Sequence, residues 1–211
     1  MVMTASQLRH GFFSVAALYL MLATPAARGW LESTMIGHML LQIPLLTAIG
    51  IVSSRLLPER WQDALLAAAG GAIPCVLMAL FVSSYWMLPR ALDAALTDAL
   101  TETVKFLSLP LLVGLPLGLA WKQLGIIGRG FVWTNFISML AVLGWLYVVA
   151  PTRVCNNYLV DQQEGAGWWM VKLSLLLFAC WLGNLFVGDS RVAGEPGTAN
   201  PDINQSHPKL A

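Results

Sequence analysis

The chain has 211 residues, of which 57% are hydrophobic and 11% charged, with a formal net charge of +1. Soluble domains carry about 25% charged residues, so this balance excludes an ordinary water-soluble domain and predicts an integral membrane protein. No basic patch offers a surface for nucleic acid, and the dispersed Cys75, Cys155 and Cys180 form neither a CxxC pair nor a disulfide framework.

The apolar segments read as an all-α, polytopic membrane helix bundle of about six spans over residues 1–187. The first covers residues 11–27; its Thr24-Pro25-Ala26-Ala27 has the small residues of a signal-peptidase site, but Pro25 breaks the pattern and a retained anchor is the preferred reading. The second covers 35–53, bent at Pro44, and the third 64–88, with Gly70-Gly71 and Pro74 marking a kink. From Pro89 to Phe106, Leu92, Ala95, Leu96, Leu100 and Val104 recur at helical spacing between Asp93, Asp98, Glu102 and Lys105. That pattern predicts an amphipathic helix leading into the fourth span, 107–121, which Pro110 and Pro116 interrupt. The fifth span is expected over 131–150 and the sixth over 166–187, opened by the interfacial pair Trp168-Trp169. Residues 188–211 are rich in Gly, Pro, Asn, Ser and Asp and read as a disordered polar tail.

Lys and Arg are unevenly shared between the two ends of such a bundle. Arg9, Arg55, Arg60, Lys122, Arg129, Arg191 and Lys209 fall at one end, against Arg28, Arg90, Lys105 and Arg153 at the other. The excess places both termini in the cytoplasm. Glu32, Asp93, Asp98, Glu102, Asp161 and Glu164 then share the outer side with the start of the second span.

That start is the most informative stretch. Thr34, His38 and Gln42 make one helical stripe, with Met35 and Met39 beside it. Polar groups in a membrane segment are costly and face a bundle interior or a site, so His38 is the leading candidate. Imidazole, thioether and carboxylate together suit a soft cation, and the thioethers of Met35 and Met39 favour Cu(I). The plainer alternatives are a helix cap at Thr34, a hydrogen-bonded imidazole at His38 and methionines that pack. Asp161 reads equally as part of an outer polar shell and as a cap of the sixth helix. Glu102 and Lys105 read as an i,i+3 pair on a wet helix face, and Lys172 as snorkelling or pairing with an acid.

Three segments, in order, resemble the CtaG-like family of bacterial cytochrome c oxidase assembly factors. The family's H-M-x-x-H-M-L-L element appears as Thr34-Met35-Ile36-Gly37-His38-Met39-Leu40-Leu41, with Thr34 in place of its first histidine. Its W-x-x-H-P-x-x-Y-D-x-A-L and E-H-x-x-F-L elements correspond to Tyr85-Trp86-Met87-Leu88-Pro89 leading to Leu92-Asp93-Ala94-Ala95-Leu96, and to Glu102-Thr103-Val104-Lys105-Phe106-Leu107. Leu88 and Thr103 stand where histidines are expected. Asp161-Gln162-Gln163, followed by Gly165-Ala166-Gly167-Trp168-Trp169-Met170, matches a D-Q-Q element with altered Trp and Met order.

The resemblance implies a polytopic helical protein that assists maturation of the copper centres of a respiratory oxidase. Its metal-site candidates here are His38, Met35, Met39, Glu102 and Asp161, with Cu(I) as the cofactor and an oxidase subunit as the partner. The missing histidines keep open an alternative: a structural subunit of a respiratory or other membrane complex that has lost the metal site. No nucleophile elbow, phosphate-binding glycine loop, HExxH or haem-type histidine pair is present, so no enzyme is expected.

Overall fold

The computed structural model describes residues 5–192. Its elements are helical throughout: α1 (Ala5–Ala23), α2 (Pro25–Glu32), α3 (Ile43–Leu56), α4 (Glu59–Ala68), α5 (Ala72–Trp86), α6 (Pro89–Thr97), α7 (Ala99–Ser108), α8 (Leu115–Ala120), α9 (Ile126–Val149) and α10 (Val160–Val192). Two π-helical turns, Gly37–Gln42 and Leu109–Gly114, precede α3 and join α7 to α8. Four continuous stretches are long and apolar enough to cross a bilayer: Gly37–Leu56, Ala99–Ala120, Ile126–Val149 and Val160–Leu185. Two bent pairs, Leu8–Ala23 with Pro25–Glu32 at 67° and Glu59–Ala68 with Ala72–Trp86 at 76°, raise the number to six if each is one span. The expected all-α membrane bundle is what is found. The part of the polar tail beyond Val192 lies outside the described residues.

The breaks have local causes. Thr24 is extended and caps α2, its hydroxyl accepting from the Ala27 amide, while Pro25 takes the first helical position where its missing N–H does no harm. Gly70 and Gly71 have φ of +84° and +103°, a conformation that L side chains rarely adopt, so the expected kink becomes a sharp turn between α4 and α5. Pro44 and Pro110 lie just after and inside the π-helical turns; a proline cannot bond to the carbonyl four residues back, and the wider turn relieves the clash. The Phe106 carbonyl, which an amide at position 110 would have bonded in an α-helix, instead accepts the Tyr19 hydroxyl at 3.2 Å.

The expected amphipathic helix over 89–106 needs correction. Asp98 leaves the helical conformation and caps α7, accepting from the Thr101 amide at 2.8 Å and its hydroxyl at 2.6 Å. Only α6 precedes the span; α7 is already its first part, and Glu102 and Lys105 are buried within it.

The Gly37–Leu56 and Ala99–Ala120 spans form the centre, with α1 and α5 packed against them. They approach to backbone contact at Gly50 and Gly114: a Cβ on Gly50 would lie 2.8 Å from the Gly114 Cα and would run into the Pro110 carbonyl. Helices α9 and α10 pair along their length, and α9 packs against α5. Outward apolar side chains such as Phe13, Phe81 and Leu175 are exposed, as a lipid-facing surface requires.

Candidate functional site

At one end of the two central spans, five polar side chains converge in the interior. The Lys105 ammonium, fully buried, lies 2.9 Å from Glu32 Oε1, 3.1 Å from Gln42 Oε1 and 3.1 Å from His38 Nε2. An ammonium has three donors and no acceptor, so these contacts use all of it. Gln42 Nε2 also donates to Glu32 Oε1 at 2.9 Å, closing a ring of contacts around the charge. His38 and Gln42 sit four apart on the π-helical turn, and both reach inward, so the predicted stripe is real for these two.

The proton positions follow from the partners. Tyr158 donates its single proton to the Glu32 backbone carbonyl at 3.0 Å. The contact between Tyr158 and His38 Nδ1, at 3.0 Å, is therefore donated by the imidazole. His38 is then a neutral Nδ1–H tautomer whose Nε2 lone pair accepts from Lys105. Tyr158 lies outside the spans; its burial, then the Glu32 carboxylate, raise its pKa and keep it a donor.

Tyr158 is held over the cluster by the loop before α10. Asp93 accepts from the Asn156 amide at 2.8 Å, the Asn157 amide at 3.3 Å and the Asn157 side chain at 3.1 Å. Gln163 Oε1 accepts from the Val154 amide at 2.8 Å, and its Nε2 donates to the Tyr147 carbonyl at 3.3 Å. Cys155 is buried in this loop, and burial followed by the Asp93 charge pushes its thiol up to about 11. One layer outward, Arg28 Nη2 pairs with Glu102 Oε2. Two cations, Arg28 and Lys105, thus face two anions, Glu32 and Glu102, and the cluster's charge closes to zero.

The sequence candidates divide sharply. His38 is at the centre. Met35 and Met39 are buried in the apolar core. Glu102 is turned to Arg28 rather than to Lys105, so the expected i,i+3 pair on a wet face is replaced by two longer-range ion pairs. Asp161 is exposed in the first turn of α10 and stands outside the cluster; its neighbour Gln163 is the member of the Asp161-Gln162-Gln163 element that braces the loop. Thr34 accepts from the Gly37 amide at 3.1 Å, as a capping residue would. Lys172 lies over the Trp169 ring, 5.4 Å from its centroid. Lys105, Glu32, Arg28 and Tyr158 stand outside the candidates that the sequence motifs single out. The available signal is a lysine at the seventh residue of the α7–α8 span, where a buried ionisable group calls for a partner.

The copper implied by the family resemblance does not fit this arrangement. Both ring nitrogens of His38 are engaged, and a cation already sits on Nε2. A second unit charge there would be repelled by about 5 kcal/mol at an effective dielectric constant near 20. Among the described residues no group of three or more His, Cys, Asp or Glu is placed to hold a metal ion. Comparison of the chain with models of known families, with curated proteins and with solved structures finds no match.

Proposed function

We propose that this protein is a structural, non-catalytic component of a membrane complex, of the respiratory type that the CtaG-like resemblance implies, and that it works without a metal of its own. The observation that carries this reading is Lys105, whose ammonium takes the Nε2 lone pair of His38 that a metal would need. The cluster's other bonds join segments far apart in the chain: Glu32 to Lys105, His38 to Tyr158, and Tyr158 back to Glu32. Such a network fixes one arrangement of α2, the two central spans and the outer loop, which is what a docking component needs.

A second reading, an assembly factor that handles copper during maturation of an oxidase, draws on His38, Met35 and Met39 sharing one buried segment. The test is copper quantification on the purified protein and on His38→Ala under reducing conditions, together with the composition of the co-purifying complex. The structural reading expects background copper in both forms and a stable, stoichiometric complex. Stoichiometric Cu(I) in the wild type that His38→Ala abolishes would overturn it in favour of copper handling.

A further inference from the structure

The seam between α1 and the Ala99–Ala120 span carries two adjoining cavities that share Tyr19 and Leu107. One, about 270 Å³, is apolar, with Phe12, Val15 and Tyr19 of α1 facing Leu107, Pro110 and Leu111. The other, about 320 Å³, continues it toward the charged end, where Ala23 faces Ala99 and where Arg28 and Glu102 lie. From Phe12 to Ala23 the groove follows α1 for roughly 16 Å at 1.5 Å per residue. That is close to the depth of one leaflet, about half of a 30 Å hydrocarbon core.

The polar end has unusual chemistry. Arg28 and Glu102 pair through Nη2 and Oε2, yet Arg28 Nε and Glu102 Oε1 are buried without a hydrogen-bond partner among the described residues. Glu102 itself is 8% exposed. A buried polar atom left unpaired is costly, so a donor for Oε1 and an acceptor for the guanidinium are both called for. Because the pair is neutral together, a simple anion gains little; both unpaired atoms are closed off while Nη2 and Oε2 are joined, so a head that is both anion and hydrogen-bonding cation reaches the two side chains by parting them and satisfies each.

We propose that this groove is a binding site for a phospholipid with a phosphoethanolamine head. The phosphate accepts from Arg28, the primary ammonium donates to Glu102, and one acyl chain lies along Tyr19, Val15 and Phe12. The same charge pattern discriminates among lipids: a quaternary choline head has no N–H for Glu102, and a phosphoglycerol head has no cation.

The test uses the full-length protein purified in mild detergent, its retained lipids quantified by mass spectrometry. It is then delipidated and its thermal stability followed on adding dioleoyl phosphatidylethanolamine, phosphatidylcholine or phosphatidylglycerol, or an isoprenoid quinone. Stoichiometric phosphatidylethanolamine is expected, with about tenfold preference over phosphatidylcholine. Arg28→Gln and Glu102→Gln should erase the preference, and Ala16→Trp, which fills the apolar groove without touching the pair, should lower retention of all lipids. Retention in bulk proportions, equal stabilisation by phosphatidylcholine, or quinone in place of phospholipid would each overturn the proposal. The head-group comparison on the wild type keeps the test valid should a variant fail to fold.

Discussion

The Gly37–Leu56 and Ala99–Ala120 spans are joined by two opposite means. At Gly50 and Gly114 there are no side chains at all, and backbone lies against backbone. Toward the other end, Lys105 reaches Glu32, His38 and Gln42 through a fully buried ammonium. In lipid, close packing of small residues is a main source of helix association, because hydrocarbon outside is as apolar as the interface. Buried ion pairs behave differently: desolvation cancels most of their attraction, so they are weak evidence for stability but punishing to break. The glycine contact therefore supplies closeness, and the charged cluster supplies a unique choice of partners.

That division is open to direct attack. The largest loss is expected from Gly114→Leu, whose Cβ alone would lie 2.7 Å from the Gly50 Cα. Overpacking against backbone, which cannot rotate away, should go far beyond the roughly 3 kcal/mol upper end of ordinary overpacking and prevent the two spans from docking. Thermal unfolding in detergent reads this out, and a normally stable Gly114→Leu would refute the packing half of the comparison. Next comes Lys105→Met, which strands the Glu32 carboxylate and should cost roughly 3–5 kcal/mol. Adding Glu32→Gln to it should restore much of the loss, because both charges are then gone. Strict additivity of the two would mean that they are not coupled.

How far the sequence reached depends on the same contrast. Spans are legible because every lipid-facing residue must be apolar and every backbone group bonded within the helix, a rule that leaves long hydrophobic runs. His38 and Gln42 were legible as a stripe because four residues make about one turn, and the π-helical turn still leaves both pointing inward. Lys105 was not, since its partners Glu32 and His38 lie 73 and 67 residues away and nothing local pairs them. Its nearest acid, Glu102, invited a local pairing that Arg28, 74 residues from Glu102, captures instead. The break at Asp98 was hidden for a related reason: the apolar spacing on either side is continuous, and only the Asp98–Thr101 cap reveals where α7 begins.

A smaller effect should come from Tyr158→Phe, which removes the link between the loop and the cluster. The Glu32 carbonyl and His38 Nδ1 both lose their partner, for an expected loss of about 1–3 kcal/mol. Cys155 reports the loop independently. With its thiol pushed up to about 11 it is protonated and slow toward maleimide at neutral pH, and Tyr158→Phe should speed the labelling by loosening its cover. The fold favours the neutral thiol, so this contribution is complete below the ordinary value of 9.0 and is lost as pH rises toward about 11. Labelling as fast in the wild type as in the variant would show that Tyr158 does not pin the loop.

The smallest expected effect lies at Asp98, where the charged end begins. Its hydrogen bonds from the Thr101 side chain, then the Thr101 amide, hold the carboxyl below its ordinary value. The folded protein thus binds that proton less readily than the unfolded chain does, and the stabilisation is present above the unfolded value and disappears as pH falls through the depressed one. Asp98→Asn keeps an acceptor for the Thr101 amide and removes the titration. The variant should therefore be nearly as stable as wild type at neutral pH and should lack the wild type's acid-side loss at this site. Because Asp98 is at the surface while Lys105 is buried, its effect should fade at high salt, and that of Lys105→Met should not. Equal salt sensitivity in the two would mean that water reaches the Lys105 cluster, and the contrast between the two ends of the helix pair would then reduce to packing alone.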